Sequence, residues 1–282
     1  MSDEPIQLLH GDCLRVLPAF PPASFDLVVT SPPYNLGIGY KTFQDNAPRQ
    51  EFLAWCQAWA TELKRVMTDD ASFFLNVGAS PQSPLLPHQL VLALTDGNEP
   101  LFTLQNTFHW IKSITVQPAG REPVSAGHFK PINSERFVND CHEYVFHLTK
   151  TGRVSLDRRA AGVPYADKSN IGRWGHTGGA DLRCRGNNWF IPYETIQSRD
   201  KERPHPATFP VALVEQCIRI HGKGPATRLL DPFLGIGTSA IAARRMNIAN
   251  FTGIELDEHY LAVARERLAT SSDPADLFDS RR

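Results

Sequence analysis

No run of the 282-residue chain approaches the ~18 to 20 consecutive apolar residues that a membrane span requires. The start, Ser2-Asp3-Glu4, is too polar and acidic for a signal peptide. Cysteine is sparse: Cys13, Cys56, Cys141, Cys184 and Cys217 are scattered, odd in number and form no CxxC pair. That argues against a disulfide framework and against a zinc site, so no metal is expected and a reducing cytoplasm fits. Neither charge is in excess, with 29 Lys and Arg against 30 Asp and Glu. Overall charge therefore gives no support for a nucleic-acid partner, and such a reading needs a local patch.

The chain is long enough to bury roughly three quarters of its unfolded surface, which suits one large α/β domain with an inserted module. Strands are expected at 6–11, 25–29, 71–77, 101–111, 143–148, 228–231 and 251–254. Helices are expected at 13–20, 50–67, 84–94, 211–220, 238–246 and 258–268. In 50–67, apolar residues at Phe52, Leu53, Trp55, Cys56, Trp59, Ala60, Leu63 and Val66 follow the helical period. Trp55 and Trp59 read as core, and His142, beside Cys141 and Asp140, reads as a strand-edge histidine. Residues 113–136 show little periodicity and contain Pro118, Gly120, Pro123, Gly127 and Pro131, so a long irregular loop is expected there.

Two stretches carry chemistry. The first follows the apolar run 25–29 and reads Thr30-Ser31-Pro32-Pro33-Tyr34-Asn35. Two prolines after a strand cannot extend a ladder and hold φ near −65°, so the chain turns a stiff corner at the strand's carboxyl end. Open α/β sheets bind ligands at that end. The corner offers the Ser31 hydroxyl, freed carbonyls and the Tyr34 ring, which suits a flat heterocycle bearing an exocyclic amine.

The second stretch, Asp231-Pro232-Phe233-Leu234-Gly235-Ile236-Gly237-Thr238-Ser239, joins a strand to a helix through a tight glycine turn. Glu255 ends the next strand, 18 positions after Gly237. That is close to the ~20 expected for a carboxylate holding ribose hydroxyls, so an adenosine-type ligand is expected. Ala240 stands at the third glycine position of a dinucleotide fingerprint, which leaves an NAD-linked oxidoreductase open at this point.

Residues 150–203 change character. Periodicity fades, and eleven Lys and Arg face six Asp and Glu in a chain of net charge −1. Tyr165, Trp174, Trp189, Phe190 and Tyr193 are interleaved. Basic and flat side chains together suit a surface that tracks phosphates and contacts bases. Arg173, Arg183, Arg185 and Trp189 are the candidate contacts of such a surface; a solvated, loop-rich insertion, with Trp189 in local packing, is the alternative at this point.

The pair of motifs, Ser31-Pro32-Pro33-Tyr34 first and Asp231-Pro232-Phe233-x-Gly235-x-Gly237-Thr238 last, resembles the amino-methylating DNA methyltransferases. Their order is similar to that of the circularly permuted beta group, and the likeness covers about residues 8–268. The resemblance implies a Rossmann-like methyltransferase sheet of seven strands, the last two a hairpin. It divides the chain into a catalytic and cofactor-binding part (1–149 and 204–282) and an inserted target-recognition region (150–203).

S-adenosylmethionine is the implied cofactor. Asp12 would lie near its adenine and Glu255 at its ribose, with Cys13 and Leu256 among the other cofactor contacts. Phe233 would pack against it within the loop from Asp231 through Gly235 and Gly237. Thr238 or Ser239, together with His205-Pro206-Ala207, would meet its methionine end. Ser31 through Tyr34 would be catalytic.

The serine in the first motif resembles the cytosine-N4 subset, so the implied reaction is methyl transfer to the N4 amine of a cytosine flipped from double-stranded DNA. Adenine-N6 methylation is the alternative, and a non-catalytic DNA-binding protein is a further one. No cysteine follows a proline, so the Pro-Cys dipeptide of cytosine-C5 methylation is absent. The group would bring a homodimer and a cognate restriction endonuclease as partners, at the nucleoid within the cytoplasm.

Overall fold

A computed structural model describes residues 6–39, 42–117, 119–127, 133–173, 175, 178–192 and 208–271. Its strands in chain order are β1 (Ile6–His10), β2 (Phe25–Thr30), β3 (Met67–Val77), β4 (Thr103–Ile111) and β5 (Ser113–Val116). They continue with β6 (Val124–Gly127), β7 (His142–Thr149), β8 (Asn188–Phe190), β9 (Arg228–Asp231) and β10 (Asn250–Glu255). The main sheet runs β1-β10-β9-β2-β3-β7-β4-β8. β7 alone runs antiparallel to its neighbours β3 and β4, and the first and last strands of the chain lie side by side in parallel.

Apolar runs rather than alternating patterns mark the central strands because both faces are covered. Val28, Phe73, Leu75 and Val77 join one core with the helices Arg49–Val66 and Leu86–Thr95. Their neighbours Leu27, Val29 and Phe74 point the other way, as the two-residue period requires. These join a second core with the helices Val211–His221, Thr238–Arg245 and Glu258–Thr270. Among the described residues, no helix is long and apolar enough to cross a membrane.

Three expectations are corrected. The seven expected strands are present, but β8 joins the sheet as an eighth, parallel to β4. It is held there by Trp189, which stacks on Phe108 with ring centroids 4.2 Å apart. Part of the basic segment is thus built into the main sheet. Residues 113–136 are not wholly irregular, since β5 and β6 pair antiparallel. Residues 13–20 split into the helix Cys13–Val16 and a 3-10 turn at Leu17–Ala19, with the Asp12 carboxylate accepting from Leu14 N at 2.9 Å.

Two buried histidines make stability depend on pH. His147, in β7, stacks on Phe74 at 4.7 Å, with Asn106 and Ser72 each 3.0 Å from a ring nitrogen. Burial lowers its pKa from 6.5 to about 3. Burial, with Lys223 nearby, lowers that of His221 to about 4. An unfolded chain protonates both rings below pH ~6.5 while the folded chain leaves them neutral. Stability is therefore full above that pH and falls as pH drops toward 4, by up to roughly 1.4 kcal/mol per unit for each histidine. The melting temperature is expected to fall between pH 7 and pH 5, and His147→Gln to flatten that slope. Buried carboxyls such as Asp231, whose pKa burial raises, oppose the histidines below pH ~6, so it is an unchanged slope in His147→Gln that contradicts this account.

Candidate active site

β2 and β9 are parallel neighbours, so the corner after Thr30 and the turn after Asp231 leave the sheet side by side. The Thr30 hydroxyl donates to Asp231 Oδ1 at 2.6 Å and ties the two together. Asp231 also accepts from Phe233 N at 3.1 Å and from the Ser239 hydroxyl at 2.5 Å. Burial pushes its pKa up to about 6, against the pull of these donors from Ser239, Thr30 and Phe233. With both oxygens engaged and no exposure, Asp231 braces the turn rather than facing a ligand.

Glu255 closes the turn from the other side. Its carboxylate accepts from Gly235 N at 2.7 Å and Asp257 N at 2.8 Å. Burial raises its pKa, opposed by these two amides and reinforced by Asp231 and Asp257. An ionised carboxylate has about four lone-pair sites, so each oxygen keeps acceptor capacity after its backbone bond. Gly237 sits at φ +82°, and a Cβ there would meet Ala264 Cβ at 2.9 Å. Its missing side chain lets the Thr238–Arg245 helix lie against the last helix.

These pieces enclose one cleft of about 1030 Å³, the open solvent at its mouth included. Ser31, Pro32, Pro33 and Tyr34 line it together with Asp12, Cys13, Phe233, Gly235, Thr238, Glu255 and Leu256. The Ser31–Tyr34 corner and the glycine turn are thus brought to one opening. Cys13 is inert as a nucleophile there, because burial pushes its thiol up to about 12.

Several expected contacts fall elsewhere. Ser239 is fully buried on Asp231, so of the two hydroxyls only that of Thr238 reaches the cleft. Gly237 and Asp231 shape the turn from behind. Trp189 is 1% exposed, with its indole N–H donated to Gly186 O at 3.2 Å, and contacts no base from that position. Arg173 and Arg183 are exposed, while Arg185 Nε donates to Ala161 O at 3.0 Å. None of the three lines the cleft. His205, Pro206 and Ala207 lie outside the described residues, and Thr208 and Phe209 after them line the cleft.

Other residues escaped sequence reasoning. Trp55, read as core, is half-buried and lines the cleft, packed on Phe233 at 5.6 Å and Phe43 at 5.3 Å. Helical spacing marks an inward face and does not distinguish core from cleft wall. Asp45 had no signal, being one acid in a polar loop. It is 3% exposed and accepts from Asn35 N at 2.6 Å and from Leu36 N and Ile38 N at 3.0 Å each. Asn35, at φ +56°, begins the loop that these bonds hold under the corner. Burial raises the Asp45 pKa, countered by those amides. Asp45→Ala leaves three backbone donors without their acceptor and is expected to cost about 1–3 kcal/mol. Chemical denaturation measures it, and an unchanged midpoint contradicts the role.

Glu143, at the start of β7, also escaped notice. Its carboxylate accepts from Tyr34 OH at 3.2 Å, Asn76 Nδ2 at 2.8 Å and Lys112 Nζ at 3.2 Å. The Tyr34 hydroxyl is in turn 2.6 Å from Ser31 Oγ.

The family model described as DNA methylase, for N6 and N4 methyltransferases, matches residues 25–266. The type II methyltransferase M.ScaI of Streptomyces caespitosus is 31% identical over 277 residues, 93% of this chain and 81% of that protein. The DNA adenine methyltransferase YhdJ of Escherichia coli (strain K12) is 26% identical over 283 residues, 96% of this chain and 85% of that protein. The solved structure of the PvuII DNA methyltransferase, described as cytosine-N4-specific, superimposes with a TM-score of 0.67 over 98% of this chain and 93% of its own. Its sequence is 20% identical, so that likeness concerns the fold. Neither the nicotinamide-linked reading nor the non-catalytic one survives these matches: the chain belongs to the N6/N4 DNA methylase family and is a site-specific, S-adenosylmethionine-dependent DNA methyltransferase.

Proposed function

We propose that this enzyme methylates the N4 amine of a cytosine flipped out of duplex DNA, with the chain in the circularly permuted beta arrangement. The observation that carries the reading is the shared cleft, in which the Ser31–Tyr34 corner faces Asp12, Phe233, Gly235 and Glu255. The residues fit the cofactor. Phe233 supplies an aromatic wall to the cleft, and Glu255 keeps acceptors for ribose hydroxyls.

When bound, S-adenosylmethionine supplies a methyl group on a positively charged sulfur. The cytosine amine is a weak nucleophile because its lone pair is delocalised into the ring. Ser31 Oγ and the Pro32 carbonyl accept its two N–H groups and draw the nitrogen toward sp³ geometry. That interaction strengthens as charge develops on nitrogen, and so it lowers the barrier. In-line placement in the cleft supplies much of the rest, of the ~7–11 kcal/mol available to well-oriented groups.

Extruding the base costs a few kcal/mol. Stacking on Tyr34 returns about 1–3 kcal/mol. Phosphate contacts from residues 150–203, Arg173, Arg183 and Arg185 among them, supply the remainder.

Adenine-N6 methylation is the second reading, favoured by the likeness to YhdJ over 96% of this chain. Serine at position 31, where the adenine subset more often carries Asp or Asn, supports cytosine. Mass spectrometry of nucleosides from DNA treated with the enzyme decides between them. N4-methylcytosine is expected, and N6-methyladenine alone overturns the base assignment. A cognate restriction endonuclease recognising the same site is the partner this reading implies.

A further inference from the structure

We propose that Glu143 is a positioning residue for methyl transfer: it sets the direction of the Ser31–Tyr34 hydrogen bond, so that Ser31 meets the substrate amine only as an acceptor. This rests on the proposed role of Ser31 as acceptor for the amine N–H.

The available protons fix the direction of this bond. As a carboxylate paired with Lys112, Glu143 has acceptors and no donor. Tyr34 has one hydroxyl proton, and the contact with Glu143 Oε2 at 3.2 Å claims it. Oxygen to oxygen, Tyr34 and Ser31 stand 2.6 Å apart, and one of them must donate. With the Tyr34 proton committed, Ser31 donates. Its remaining capacity toward the cleft is then its lone pairs.

Without that anchor, the hydroxyl can rotate and present its proton to the amine nitrogen. That would occupy the lone pair which has to form the new bond to carbon. The wrong rotamer is therefore inhibitory, beyond the loss of one contact.

Packing agrees with a built arrangement. The Lys112 and Glu143 side chains are 16% and 12% exposed, so water screens the pair weakly. Asn76, 3% exposed, donates to the same Oε2 as Tyr34 and fixes the carboxylate's orientation. A Cβ at Gly78 would stand 3.2 Å from both the Glu143 side chain and the edge of the Tyr34 ring. The absent side chain leaves room for the two to meet. Glu143 itself does not line the cleft, so its influence passes through Tyr34.

The test is single-turnover methyl transfer to duplex DNA, with enzyme in excess, by the wild-type chain, Glu143→Gln, Tyr34→Phe and the double variant. Glutamine keeps the size but brings amide donors that compete with the phenol proton. Phenylalanine keeps the ring but cuts the relay. Each single change is expected to lower the transfer rate by roughly ten- to a hundredfold, less than loss of a whole transition-state contact. S-adenosylmethionine affinity and DNA affinity are expected to hold within about twofold, so the loss falls in the transfer step and not in binding. The double variant is expected to be no slower than the slower single one, because the two residues act through one bond.

Transfer by Glu143→Gln at the wild-type rate, losses that multiply in the double variant, or a loss confined to binding each overturns the relay. A wild-type chain that methylates no amine overturns the transfer reading and the relay together. An active wild type with an unaffected Glu143→Gln overturns the relay alone.

Discussion

Ser31→Ala is expected to lower methyl transfer by about two to three orders of magnitude, the effect of removing one group aimed at developing charge. Ser31 lines the cleft, and its oxygen is the proposed acceptor for an incoming amine. The substitution leaves the fold intact, because the Tyr34 hydroxyl keeps Glu143 as its acceptor and no buried donor is orphaned. Cofactor affinity is expected to be unchanged, since Glu255 and the glycine turn are untouched. Tritiated-methyl transfer measures the first quantity and titration of S-adenosylmethionine the second. Full activity in this variant rejects the amine-polarising role.

Glu255→Gln is expected to produce the complementary defect, with S-adenosylmethionine bound about 100-fold more weakly, or about 2.7 kcal/mol. The amide oxygen can still accept from Gly235 N, so the turn survives. The amide nitrogen replaces the oxygen that accepts from Asp257 N, setting donor against donor. The negative charge that strengthens bonds to ribose hydroxyls is also lost. Saturating cofactor should recover most of the transfer rate, because the Ser31 corner is unaltered. A cofactor affinity equal to wild type removes Glu255 from the site, and an unrecovered rate means that the substitution acts on chemistry.

Much of the sheet could be read from sequence because its strands are buried on both faces, which concentrates Val, Leu, Ile and Phe into short runs. Helix boundaries were legible to within a few residues where local groups set them. Asp257, for example, accepts from His259 N and Tyr260 N at the start of the last helix. The two motifs were legible because each contains residues with a backbone function: prolines that end a strand, and glycines that permit a turn.

Side-chain roles within those motifs were less legible. Asp231 and Ser239 look like ligand groups in the sequence, yet they are bonded to each other behind the turn. Trp189 sits among arginines in the chain but against Phe108 in space. The eighth strand is three residues long, too short to carry a period.

Sequence alone settled the local chemistry: where the chain must turn, which residues cap and which run apolar, and that a proline corner and a glycine loop with a spaced carboxylate occur in this order. Those properties depend on neighbours along the chain. Tertiary structure decided which polar groups face the cleft and which support it, because hydrogen-bond partners there are remote in sequence. Thr30 meets Asp231 across 201 positions, and Tyr34 meets Glu143 across 109. A carboxylate braces or binds according to whether buried donors have already claimed its lone pairs, and only packing sets that count.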